Sequence, residues 1–115
     1  MGSYYKFKIE SVSEGVRFAL YPNNSNTQAL GVSGVNYPNV ETCKRELESF
    51  REYVKNVDIR EILDYGKISS SEWLPKLMKE GNVVFYKNEK PLRTGRADCE
   101  RWADDVKKNI DAPIR

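Results

Sequence analysis

Val16-Arg17-Phe18-Ala19-Leu20-Tyr21, then Gln28-Ala29-Leu30-Gly31-Val32-Ser33-Gly34, then a helix-like run opening at Asn39, is the order of segments that decides the fold. Val16, Phe18 and Leu20 alternate with Arg17, Ala19 and Tyr21, and a period of two places successive side chains on opposite faces of a strand. Upstream, Tyr5, Phe7 and Ile9 oppose Tyr4, Lys6, Lys8 and Glu10 in the same way. Ser13-Glu14-Gly15 is the turn-like break that joins the two as an antiparallel hairpin. Downstream, Pro22-Asn23-Asn24-Ser25-Asn26-Thr27 collects turn-forming residues, and a loop this long is also a candidate recognition surface. Residues 28–34 are expected to form a third strand, with Gly31 and Gly34 marking a bulge or a close approach.

Pro38-Asn39 ends the extended region. Asn39 is placed to cap a helix over 39–55 in which Val40, Cys43, Leu47, Phe50 and Val54 recur at steps of three and four, the spacing of one buried face. Glu41 with Arg45, and Lys44 with Glu48, stand four apart on the expected outer face. A second helix over 98–110, capped by Asp98, would bury Cys99, Trp102, Ala103, Val106 and Ile110, with Lys107 and Lys108 in its last turns and Pro113 barring continuation. The two helices overlay at a constant shift of 56: Thr42-Cys43-Lys44-Arg45 on Asp98-Cys99-Glu100-Arg101, Leu47 on Ala103 and Phe50 on Val106. Each helix is preceded by a hairpin pattern, Val83-Val84-Phe85-Tyr86 turning through Asn88-Glu89-Lys90 to a short return strand at Pro91–Gly95 in the second case.

The segment between them admits two readings. Asp58 with Glu61 resembles a capping box and Gly66 a helix stop, yet Val57, Ile59, Leu63 and Tyr65 also alternate as a strand would. Ser70 or Ser71 would cap a helix burying Trp73, Leu74, Leu77 and Met78, although Pro75 would remove one of its hydrogen bonds. Alternatively, Lys76–Glu80 pairs across a Gly81-Asn82 turn with Val83–Lys87. The helix is the expected outcome for this stretch.

At 115 residues one domain is expected, an α+β fold of two β-β-β-α-like units at about 4–56 and 57–111 whose antiparallel sheet or sheets pack on the two helices. Lys+Arg 19 against Asp+Glu 17 leaves +2, too balanced for charge alone to name a partner. With His 0, histidine nucleophile pairs, general bases and metal ligands are all excluded, and Cys43 and Cys99 are too few for a four-thiolate site. No phosphate-loop, dinucleotide or nucleophile-elbow motif occurs, so no catalytic residue, cofactor or metal is expected and the chain is not expected to be an enzyme. The cysteines stand at matching helix positions and are expected in the core. No apolar run reaches 18 residues and no leader pattern opens the chain, so a cytoplasmic location without membrane contact is expected.

Phe18 through Leu20, Gln28-Ala29-Leu30-Gly31-Val32-Ser33, Tyr37 and the helix ending Leu47-Glu48-Ser49-Phe50 together resemble the small bacterial YegP-like family, whose repeat runs through two strands, a third of the type Ile-Gly-x-Ser, a Tyr and a helix. The second half keeps Phe85-Tyr86 and the Cys99 helix, but Leu92-Arg93-Thr94-Gly95 is short, no Tyr precedes Asp98, and the 57–81 linker is long. The resemblance implies two β3-α units sharing a sheet, in one chain or as a dimer, and it brings no activity or catalytic residue. The second half also resembles an excisionase-type winged helix-turn-helix, which implies DNA binding through a recognition helix at Ser71–Lys79. Lys87, Lys90, Arg93 and Arg96 beside Tyr86 are the candidate partner contacts. The expected function is a non-catalytic binding module, its partner a protein or a second copy, with nucleic acid as the alternative. A further alternative is a phage or mobile-element inhibitor that covers a host protein.

Overall fold

The computed structural model describes residues 5–22, 28–88, 90–93 and 95–115. The alternating segments at the start form β1 (Tyr5–Val12) and β2 (Gly15–Pro22), paired antiparallel from Tyr5 opposite Pro22 to Val12 opposite Gly15. The third strand is shorter than its sequence signal. β3 (Gly31–Ser33) pairs with β2, and helix α1 (Val40–Lys55) follows. Asn39 caps α1 as expected, its Oδ1 accepting the Thr42 amide at 2.8 Å. Cys43, Leu47, Phe50 and Val54 are buried, whereas Val40, in the first turn, projects outward at 47% exposure. Glu48 pairs with Arg51 at 2.9 Å, three residues on, instead of Lys44.

The expected helix over 71–79 does not form. After a turn holding buried Ile59, the chain makes β4 (Leu63–Asp64), β5 (Lys67–Ser69), β6 (Glu72–Trp73), β7 (Lys76–Lys79) and β8 (Asn82–Tyr86). Two local causes override the helix signal. Glu80 and Gly81 both adopt positive φ, 51° and 83°, the pair of values that a tight two-residue hairpin turn between β7 and β8 demands. Pro75 has no N–H for a helix and is fully buried, with its carbonyl accepting the Lys87 amide at 2.9 Å. The excisionase-like reading therefore loses its recognition helix.

β8 does not turn back on 91–95 either. It lies between β3 and β7, and Leu92 instead makes an isolated bridge to Trp73. The six-stranded sheet runs β1-β2-β3-β8-β7-β4, with β5-β6 as a separate two-stranded sheet. The β3–β8 pairing is antiparallel and ties the strands of the first half to those of the second. On the outer edge of β1, Phe7 donates its amide to Pro113 O and accepts from Arg115 N, both at 2.8 Å, so the C-terminal residues cover part of that edge.

The last helix, α2 (Arg96–Lys108), begins two residues before the expected start. Gly95 stands at its cap position with no side-chain bond, and Asp98 lies in the first turn, where its negative charge suits the helix dipole. Cys99, Trp102, Ala103, Val106 and Ile110 are buried, as their spacing requires. Both helices pack on one face of the sheet. Phe7 and Phe18 meet edge to face at 6.3 Å, Phe18 and Phe50 lie 5.5 Å apart, Phe50 and Phe85 5.0 Å, and Phe85 and Trp102 6.1 Å, a ring-to-ring path from β1 through α1 and β8 to α2. Such pairs contribute about 0.5–1.5 kcal/mol each beyond the area they bury. Gly31 answers the question its sequence left open: a Cβ there would strike the Phe85 ring, so the ring rests directly on the β3 backbone. Trp102 Nε1 donates to Leu30 O at 2.7 Å, fastening α2 to the segment entering β3.

Candidate functional site

The pairing registers place two sets of side chains on opposite faces of the sheet. Phe7, Leu20, Phe18, Phe85 and Leu77 face the helices. Lys8 lies opposite Ala19, Ala19 opposite Val32, Val32 opposite Tyr86, and Tyr86 opposite Lys76, forming one row across five strands on the other face. Neighbouring strands are about 4.8 Å apart, so the two lysines at the ends of this row are separated by about 19 Å along the sheet. Lys6 opposite Tyr21 and Glu10 opposite Arg17 flank the row on the same face.

Neither helix covers this face, yet its centre is dry. Ala19 and Val32 are fully buried in a small cluster with Tyr21 and Ala29, against which Tyr86 packs. β2 is thus buried on both faces: Ala19 and Tyr21, like Phe18 and Leu20, are withdrawn from water. Tyr21 accounts for much of this, because its hydroxyl donates to Glu10 Oε1 at 2.8 Å while Lys8 Nζ stands 5.9 Å from its ring centre. Arg17 Nε pairs with Glu10 Oε2 at 2.7 Å, so the face's acidic residue on β1 is already engaged. At the β4 edge, Asp64 stands opposite Lys76 and accepts the Gly66 amide at 2.9 Å.

Beside β7 and β8 this face deepens into a cleft of about 270 Å³, where the β5–β6 segment rises over the sheet. Its walls are Gly66, Lys67, Ile68 and Leu74 on one side and Lys76, Tyr86, Lys87 and Asn88 on the other. Gly66 makes the approach possible: its φ is 61°, and a Cβ would strike the Leu74 carbonyl, whose residue donates its amide to Gly66 O at 2.8 Å. Lys67 Nζ stands 6.0 Å from the Trp73 ring centre, and Ile68 is exposed. The Asn88 Oδ1 is buried with no hydrogen-bond partner among the described residues. Lys87 also lines an adjoining cleft with Pro22, Gln28, Ala29 and Leu30.

Of the five residues singled out in the sequence, the structure brings Tyr86 and Lys87 together here and sends the others elsewhere. Lys87 is 8% exposed, its backbone held by Pro75. Lys90 is exposed at a positive φ of 37°, Arg93 reaches Glu72 at 3.4 Å, and the Arg96 guanidinium stacks 4.2 Å from the Tyr65 ring centre at the start of α2. Lys8, Lys67 and Lys76 were the missed partners. Lys8 was legible as the polar side of β1, and Lys76 in the alternative reading that paired 76–80 with 83–87, which the β7–β8 hairpin bears out with its turn at Glu80-Gly81. Asn23–Thr27, the candidate recognition loop, lies outside the described residues.

The cysteines stand apart from this face. Cys43 and Cys99 are fully buried, burial pushes both thiols up from their ordinary pKa, and Cys99 Sγ lies 3.8 Å from Tyr65 O. Raised thiols are poor nucleophiles at neutral pH. Among the described residues no helix is long and apolar enough to cross a membrane.

No protein-family model matches the chain, and no curated protein is similar to it. Among solved structures it is similar to YegP from E. coli, a protein of unknown function determined by NMR in solution, with a TM-score of 0.73 and 14% sequence identity over all of this chain and 94% of that one. The fold is YegP-like. At that identity the likeness extends to architecture, and the basic row, the cleft and their side chains are read from this chain's own residues.

Proposed function

We propose that this YegP-like chain is a non-catalytic binding module that applies the open face of its sheet to an anionic macromolecule. The row Lys8–Ala19–Val32–Tyr86–Lys76 carries this reading: lysines stand at both ends and the half-buried Tyr86 lies between them, over a closed floor of Ala19 and Val32, on the face opposite the helices. The non-catalytic half of the reading rests on the lack of histidine and on two thiols that sit in the core with their pKa values raised. DNA-duplex recognition through a helix has no support in this fold, since the segment assigned to it is β6 and β7.

The test is binding of the whole chain at low salt to three immobilised polyanions: poly-glutamate, single-stranded nucleic acid and duplex DNA. The wild type should bind at least one of them, and Lys8→Glu with Lys76→Glu should weaken that binding by about tenfold or more, because each reversal replaces an attraction with a repulsion at the contact. Loss of all binding in the wild type, or equal binding by the double variant, overturns the proposal.

A further inference from the structure

The cleft beside β7 and β8 narrows the chemistry of the partner. It is lined by three lysines, Lys67, Lys76 and Lys87, together with one tyrosine, Tyr86. An acidic peptide offers charge but no ring to lie against Tyr86. Nucleic acid offers both: its bases stack on an aromatic side chain, and the phosphate linking them supplies the charge that lysines answer.

Size and shape select between single and double strands. A cleft of about 270 Å³ overhung by the β5–β6 segment admits one splayed nucleotide and not the width of a duplex. From it, the row across the sheet runs toward β1, so the chain of phosphates leaving the cleft meets two further lysines, Lys8 and Lys6, on the same face.

We propose that the cleft lined by Lys67, Lys76, Tyr86, Lys87 and Asn88 is a nucleotide pocket for one residue of single-stranded nucleic acid, whose neighbouring nucleotides lie across the open sheet face toward Lys8. Phosphate is held by the lysines and the base lies against Tyr86. This rests on the reading of the open face as the contact surface and adds the class of its partner.

The experiment is fluorescence anisotropy of the whole chain with a labelled 12-nucleotide mixed-sequence single strand, as DNA and as RNA, against the corresponding duplex and poly-glutamate, each titrated with salt. Either single strand should bind about tenfold or more tightly than the duplex and poly-glutamate, with Tyr86→Ala weakening it by about tenfold, the usual scale for one stacked base. Lys67→Gln and Lys76→Gln should each lower the slope of log affinity on log salt by about 0.7, the value for one released counterion on a single strand. Lys67 is exposed, so its variant tests the pocket without threatening the fold. Equal binding to poly-glutamate or duplex, or unchanged salt slopes in both lysine variants, overturns the nucleotide pocket while leaving a general anion-binding face standing. No binding to any polyanion overturns both.

Discussion

The two faces of the sheet are built by the same strands one residue out of step, and they solve opposite problems. On the helix side, Phe7, Phe18, Leu20, Leu77 and Phe85 meet Leu47, Phe50, Trp102 and Val106 in a closed cluster with no cations among its buried members. On the open side, Ala19 and Val32 occupy the same central strands, but their small side chains are covered by Tyr21 and Tyr86 and not by a helix, and lysines stand around them. A sheet that must hold two helices spends its large apolar residues on the face they cover. Because the period of a strand is two, a slip of one residue would exchange these roles entirely, which fixes the register of β1 and β2 strongly.

The sharpest way to break the comparison is at Phe85, which stacks on Phe18, Phe50 and Trp102 and rests on Gly31. Phe85→Ala leaves a cavity at the junction of both helices and should cost about 3–5 kcal/mol in urea unfolding. The adjacent Tyr86, on the opposite face, should cost clearly less as Tyr86→Ala; equal losses at the two positions would mean that the open face is as much a core as the other. A smaller effect is expected at Trp102, where Trp102→Phe keeps a ring against Phe85 but leaves the part-buried Leu30 carbonyl without its indole donor. That change should cost about 1–3 kcal/mol, read as a shift in urea midpoint with an unchanged slope.

How much of this was legible follows from the length of each element. β1, β2 and the helices span enough residues for their period to show, and Cys43, Leu47, Phe50 and Val54 are buried as the spacing of α1 requires. Segments 57–81 break into strands of two to four residues, too short for their alternation to decide between strand and helix, and their shape is set by Gly66, Pro75 and the Glu80-Gly81 turn. Trp73, Leu74, Leu77 and Met78 fit a helical face equally well until Pro75 and the positive φ values are weighed. The site was half legible for the same reason. Tyr86 and Lys87 lie on a strand with a clear signal, while Lys76 joins them only through a pairing between strands, and the cations at 93 and 96 were drawn away by Glu72 and Tyr65, partners remote in sequence.

A further difference between the faces is expected at high pH. Tyr37 stacks on Phe18 at 6.2 Å on the helix side, and burial, followed by the nearby Glu46 carboxylate and the Cys43 thiol, pushes its pKa up to about 12 from 10.0. The folded value lies above the unfolded one, so the neutral hydroxyl stabilises the fold fully below pH 10, and that contribution is lost as pH rises from 10 to 12. Tyr5, Tyr53 and Tyr65 are raised as well and act in the same direction. Tyr37→Phe keeps the stacked ring and removes the titration. Its stability curve should therefore fall less steeply over that window than the wild type's, and parallel curves would show that the Tyr37 hydroxyl is not withdrawn from water.

The smallest effect on stability is expected on the open face, and there a small value is the informative one. Lys8 and Lys76 end the row across the sheet, and each has its charge at the margin of the dry centre formed by Ala19, Val32 and the tyrosines. Lys76 stands opposite Asp64 in the register of β4 and β7. Lys8→Gln and Lys76→Gln keep most of each side chain's apolar stem and its cover over the neighbouring rings, so their melting curves should overlay the wild type within the equivalent of about 0.5 kcal/mol. The same two substitutions reduce the charge of the face by two and should lower its affinity for polyanions together with its salt dependence. Stability and binding then separate by face: residues that hold the helices set the melting temperature, and residues one step along the same strands set what the sheet attracts. A loss of stability at Lys8 or Lys76 comparable to that at Trp102 would erase this separation, because it would show that the lysines were retained to hold the sheet together and not to meet anything outside it.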